Sequence, residues 1–212
     1  VIKTFDESLD TLEWMSPETR TQAKKKLSTF KPKIGYPDVW KDYSSIEVSA
    51  DSHMNNYRSV LAWSNAEDLR ELNQPVDRSE WFMTPQMVNA YYSPSRNEIG
   101  FPAARLQPPF FQLDADLAIS YGAVGGVIGH EISHGFDDNG SQYDGEGNLK
   151  NWWTEEDRAE FEKRAFKFAD QYSEFEPVEG MKLNGRQVLG EALGDLNGVQ
   201  MVQESASRFF AF

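Results

Sequence analysis

His130, Glu131 and His134 form a His-Glu-x-x-His set, and Glu191-x-x-x-Asp195 follows farther along the chain. On a helix, residues i and i+4 project from one face, so the two imidazoles converge on a single point. Two neutral imidazoles and the Glu191 carboxylate would hold one Zn²⁺ and leave a fourth position to water, the open arrangement of a catalytic site. Glu131, beside the first ligand, takes the place of the general base. With three His in 212 residues, such a pair with Glu in the second slot arises by chance roughly 0.004 times per chain. The spacing is therefore a signal. Glu191 and Asp195 share a helical face, where like charges repel unless something cationic lies beside them, and a zinc with its histidines is such a partner. Asp195 is expected to accept a hydrogen bond from the free ring nitrogen of His130 and fix its tautomer.

The chemistry that follows is peptide-bond hydrolysis without a covalent intermediate. A bound zinc lowers the pKa of its water from about 15.7 toward roughly 7. Glu131 takes the proton, the hydroxide attacks a polarised carbonyl, and the proton passes to the leaving amine. The rivals are a zinc- or peptide-binding module without turnover and a structural domain with an empty site. An intact Glu131 argues against both for the parent protein, because binding alone needs no base. His53, in a polar stretch, is expected to be exposed.

A net charge of −13 argues against nucleic acid, which would need a basic patch. With no cysteine, disulfides, thiolate zinc sites and cysteine nucleophiles are excluded. Gly122-x-x-Gly125-Gly126-x-x-Gly129 lacks the dinucleotide-binding spacing. Asp137 to Asn148 lacks the glycine and glutamate of a calcium loop and reads as a surface loop of turn residues. No signal peptide is seen, Leu117 to Gly129 is too short to span a bilayer, and a chain starting at Val1 is expected to be part of a longer protein.

The elements that must carry these residues are mostly helical. Ser16-Pro17-Glu18 starts a helix with an apolar stripe at Ala23, Leu27 and Phe30. Asp51 to Leu72 fits one or two amphipathic helices. Gln86 to Ser93 reads as a strand that Pro94 to Asn97 turns back into Glu98 to Phe101. Asp114 to His134 is a mostly apolar helix, expected to be buried on nearly all sides, whose glycines allow close packing. Thr154 caps a helix with Phe161, Ala165, Phe168 and Tyr172 inward, and Val188 to about Phe209 forms the helix of Glu191 and Asp195.

Val88-Asn89-Ala90-Tyr91-Tyr92, Phe101-Pro102-Ala103, Leu106-Gln107-Pro108-Pro109-Phe110-Phe111, Val127 through Gly140, and Leu189-Gly190-Glu191 together resemble the neprilysin and endothelin-converting enzyme family of zinc metallopeptidases, bacterial oligopeptidases included. The resemblance covers nearly the whole chain. It implies a mainly α, α+β, thermolysin-like gluzincin core with a small β-hairpin at the sheet edge. Residues 1–212 would form one catalytic-domain fragment, with a helical lead-in at 1–80 and the active-site core at 81–212. It also implies one Zn²⁺ on His130, His134 and Glu191, Glu131 as base and Asp195 as orienter. Asn89 and Ala90 would match the strand that hydrogen-bonds substrate backbone, and Phe110 and Val127 would line the pocket for the residue after the scissile bond. Substrates would be oligopeptides, and the setting extracytoplasmic.

Three departures stand out. Gly190-Glu191-Ala192-Leu193-Gly194-Asp195 replaces the usual Gly-Glu-Asn-Ile-Ala-Asp. Arg105 sits where relatives have an aliphatic pocket residue, which is expected to shift preference toward acidic or polar residues after the cut. Parts of the family's chain at both ends, including a C-terminal segment that stabilises the oxyanion, are expected to be missing. Turnover would then be weak or absent, and exposed apolar surface would favour self-association.

Overall fold

A computed structural model describes residues 1–210. The helices are α1 (Ile2–Asp10), α2 (Pro17–Ser28), α3 (His53–Glu71), α4 (Leu117–Ser120), α5 (Gly126–His134), α6 (Glu155–Tyr172) and α7 (Leu189–Phe210). The strands are β1 (Lys31–Gly35), β2 (Tyr91–Ser93) and β3 (Glu98–Pro102). The mainly α fold with a small sheet agrees with the sequence reading. Two compact units result: Pro37–Trp81 forms one, and the rest of the chain forms the other. No helix among the described residues is long and apolar enough to cross a membrane.

Ser16 caps α2 by accepting from the Thr19 amide, with Pro17 at the first helical position, where a missing N–H costs nothing. Thr154 caps α6 in the same way through the Asp157 amide. In the sheet, β3 lies between β2, paired antiparallel, and β1, paired parallel. Every residue of β3 is buried. The strand read at Gln86 to Ser93 is in fact only Tyr91–Ser93, because its first half finds no ladder partner. The missed strand is β1, a Lys-Pro-Lys-Ile-Gly run without alternation, which exists because β3 offers it a free edge. Lys33 of β1 also pairs at 2.7 Å with the fully buried Glu98 of β3.

Phe5, Leu9, Ala23, Leu27, Phe30, Ile99, Phe101, Ile132 and Met201 share one core with Trp153. That core draws on α1, α2, β3, α5 and α7. The expectation of one helix from Asp114 to His134, buried on nearly all sides, needs correcting. Asp116 caps α4 at Leu117, a π turn over Tyr121–Gly125 interrupts the path, and Leu117 and Ile119 are exposed. The buried face begins at Val124 and belongs to the part that packs on α7.

That packing is unusually close. A methyl group on Gly129 would fall 2.8 Å from Gly198 Cα, and one on Gly198 would fall 2.7 Å from the Gly126 carbonyl oxygen. Glycine at these positions lets α5 and α7 meet backbone to backbone, which brings the two halves of the His, His, Glu set together. In the second unit, α3 is a single capped helix starting after Ser52, and none of its residues is buried.

Candidate metal centre

His130 and His134 lie one turn apart on α5 with their ring planes at 89°. Their Nε2 atoms face each other at 2.9 Å. Glu191, at the start of α7, brings Oε2 to 3.4 Å from His130 Nε2 and Oε1 to 3.8 Å from His134 Nε2. All three donors lie within 4.8 Å of one another. A tetrahedral zinc with bonds of about 2.0–2.1 Å needs donors about 3.3 Å apart, which is the scale of these separations.

The outer nitrogens explain why this set suits a cation. His130 Nδ1 lies 2.9 Å from Asp195 Oδ1, and His134 Nδ1 lies 2.7 Å from Asp137 Oδ2. A ring nitrogen that bonds a carboxylate carries a proton, so in the neutral ring each Nε2 is left with a lone pair. Two lone pairs facing each other repel unless a positive charge lies between them. The residues present therefore fit a zinc ion.

Asp137 was read as part of a surface loop, and the structure corrects this. Its side chain is 5% exposed, and its Oδ1 accepts the amides of Asn139 and Gly140 at 2.8 and 2.7 Å. The following loop is tied down from three sides. Lys26 Nζ donates to the carbonyls of Gly140 and Tyr143, Trp153 Nε1 to that of Ser141, and Arg158 to the Ser141 hydroxyl. Burial pulls the Lys26 ammonium down to about 7, against the nearby charges of Asp137 and Asp144. The signal that could have found Asp137 was its position three residues after His134, in the turn that ends α5, where a carboxylate can fold back onto that ring.

Glu131 is 6% exposed and points from α5 into a cleft of about 330 Å³. Burial raises its carboxyl above the usual range, and Glu191 adds to this, while His134, His130 and Arg105 oppose it. For His134, burial disfavours the charged ring. The hydrogen bond and charge of Asp137, with Glu131 and Glu191, outweigh that and raise its pKa. Asn89, Arg105, Val127 and Asp195 line the same cleft. Ala90 and Phe110 do not: Ala90 is buried beside β2, and Phe110 stacks against the Arg105 guanidinium. His53 is exposed at the start of α3.

Gly194 has a place in this geometry. A methyl there would lie 2.8 Å from His130 Nδ1, so the glycine lets the ring lie directly on α7, within reach of Asp195 one residue on. A larger cavity of about 430 Å³, lined by Lys25, Lys26, Asp144 and Trp152, brings together no comparable set of donors.

Comparison with known proteins yields one family. The sequence matches Peptidase family M13 over residues 89–208, and a second profile of that family over residues 1–37. The chain is 40% identical over 203 residues to an endothelin-converting enzyme homolog of Locusta migratoria, covering 92% of this chain and 28% of that protein. Human neprilysin is 38% identical, over 92% of this chain and 27% of the relative. A crystal structure of the Mycobacterium tuberculosis zinc metalloprotease Zmp1 with an inhibitor superposes with a TM-score of 0.95 at 44% identity, over 99% of this chain and 33% of that one. The chain thus spans about a quarter to a third of the length of these relatives.

Proposed function

Since the chain belongs to Peptidase family M13, we propose that it is the core of a zinc-dependent endopeptidase acting on oligopeptides. His130, His134 and Glu191 would hold the ion, which when bound supplies a Lewis acid for the scissile carbonyl and acidifies the attacking water. Glu131 would accept that water's proton and return it to the leaving amine. Its place in the cleft beside both histidines supports this, within reach of a water held at the ion. Asp195 and Asp137 would hold the two rings in the tautomer that turns Nε2 inward. Asn89 would meet the substrate backbone and Val127 would border the residue after the cut, since both line the cleft; the same roles for Ala90 and Phe110 would require contact from outside that lining.

The observation that carries the reading is the pair of histidine Nε2 atoms at 2.9 Å, each backed by its own carboxylate and faced by Glu191. A second reading, a zinc-binding piece without turnover, draws on the exposure of Glu191 and Asp195, at 75% and 79%. An extracytoplasmic setting and the whole residue range as one catalytic fragment belong to the same proposal. Self-association belongs to it as well, through exposed Leu117, Ile119, Leu196 and Val199.

The test is zinc content per chain, followed by cleavage of a quenched-fluorescent peptide library, with Glu131→Gln as control. One zinc with turnover lost in Glu131→Gln is the expected result. One zinc without turnover selects the second reading, and no zinc overturns both.

A further inference from the structure

Arg105 ends a short turn, Ala103–Arg105, that follows β3 and is anchored by the Ala104 amide donating to the Pro85 carbonyl at 2.9 Å. Its guanidinium carbon lies 3.7 Å from the centre of the Phe110 ring. Stacking of this kind occupies the flat face of the guanidinium and leaves the N–H donors of its edge for other partners. Those donors are under-used. Nε is buried with no hydrogen-bond partner, and among the described residues the guanidinium closes no ion pair, although Glu131 lines the same cleft. A buried, unmatched donor on a cation is costly in the absence of a ligand.

The cleft has room for such a ligand. Gly122 and Gly126 form part of its wall, and a methyl on either would meet nothing within 4 Å. A carboxylate is the group whose two oxygens match the fork of a guanidinium, and the ring of Phe110 already holds that fork in one plane. We propose that Arg105 makes this cleft a carboxylate subsite, selecting peptides whose residue after the scissile bond bears an acidic side chain or a free chain-terminal carboxylate. This rests on the peptidase reading above and names the substrate class for the same site.

The test uses the zinc-loaded 212-residue chain and matched peptides. One pair carries Glu or Gln after the cut, and a second pair ends there as free acid or as amide. The expected result is a kcat/KM preference of about tenfold or more for the charged member of at least one pair, as a charge-assisted hydrogen bond warrants. Which pair shows it identifies the source of the carboxylate. Arg105→Leu should bring that ratio close to one, and Arg105→Lys should restore part of it. A ratio near one in the unaltered chain overturns the proposal, as does a ratio that Arg105→Leu leaves unchanged. If no peptide is cut, the peptidase reading fails separately. Equilibrium binding of the same pairs then decides the subsite, and equal affinity for charged and neutral members would overturn it.

Discussion

The two histidines of the centre make nearly the same contact to very different neighbours. His134 leans on Asp137, which is 5% exposed and held by two backbone amides in a loop clamped by Lys26, Trp153 and Arg158. His130 leans on Asp195, which is 79% exposed and sits on the open face of α7 next to the equally exposed Glu191. On the first side the protein has replaced water as the partner of the carboxylate. On the second side water still competes, so the bond is worth less and depends more on salt. One half of the site is built into the core, and the other is presented by a helix surface.

The strongest way to break this comparison is Asp137→Ala. Losing an orienting carboxylate typically costs about 10- to 100-fold in metal affinity, and here it also leaves the buried Gly140 amide and the part-buried Asn139 amide unpaired. The loss should fall at the upper end of that range, with a lower melting temperature of the metal-free chain, read by chelator competition and calorimetry. Next comes Gly194→Ala, which would drive a methyl into the His130 ring. Overpacking of this kind costs about 1–3 kcal/mol, and denaturant unfolding should show it together with weaker zinc binding. Asp195→Asn should be milder, at about tenfold in zinc affinity, with little change in the stability of the metal-free chain. If Asp195→Asn proves as damaging as Asp137→Ala, the distinction between the two sides falls.

The smallest effect is one of pH. In the metal-free chain the folded-state pKa of His134 is raised above 6.5, so its pairing with Asp137 contributes fully at pH values below 6.5 and fades as the pH climbs through the folded value. The stability difference between the unaltered chain and Asp137→Asn should therefore shrink toward alkaline pH in parallel melting curves. Zinc binding should run the other way and weaken on acidification, because the proton and the ion compete for the same nitrogen.

Much of the centre was legible from spacing alone. His130 and His134 face one point because four residues make about one helical turn, and the caps at Ser16 and Thr154 follow from the same local rules. Asp137 was harder to see, since Asp-Asp-Asn-Gly reads as a solvent-facing turn until Lys26 and Trp153 arrive from distant segments to bury it. The short strand β1 was invisible for a similar reason: nothing in Lys31 to Gly35 alternates, and β3 supplies what its own residues lack.

The sequence by itself determined the donor types, the face they share on α5 and the base beside them, because these depend on helical periodicity and side-chain chemistry within a few residues. Only the tertiary structure decided that Asp137 backs the His134 ring, that Gly129 and Gly198 bring α7 close enough to deliver Glu191, and that Arg105 lines the cleft of Glu131 with its Nε unpaired. Those outcomes rest on contacts between segments far apart in the chain, where packing and the exclusion of water set the distances that local spacing leaves open.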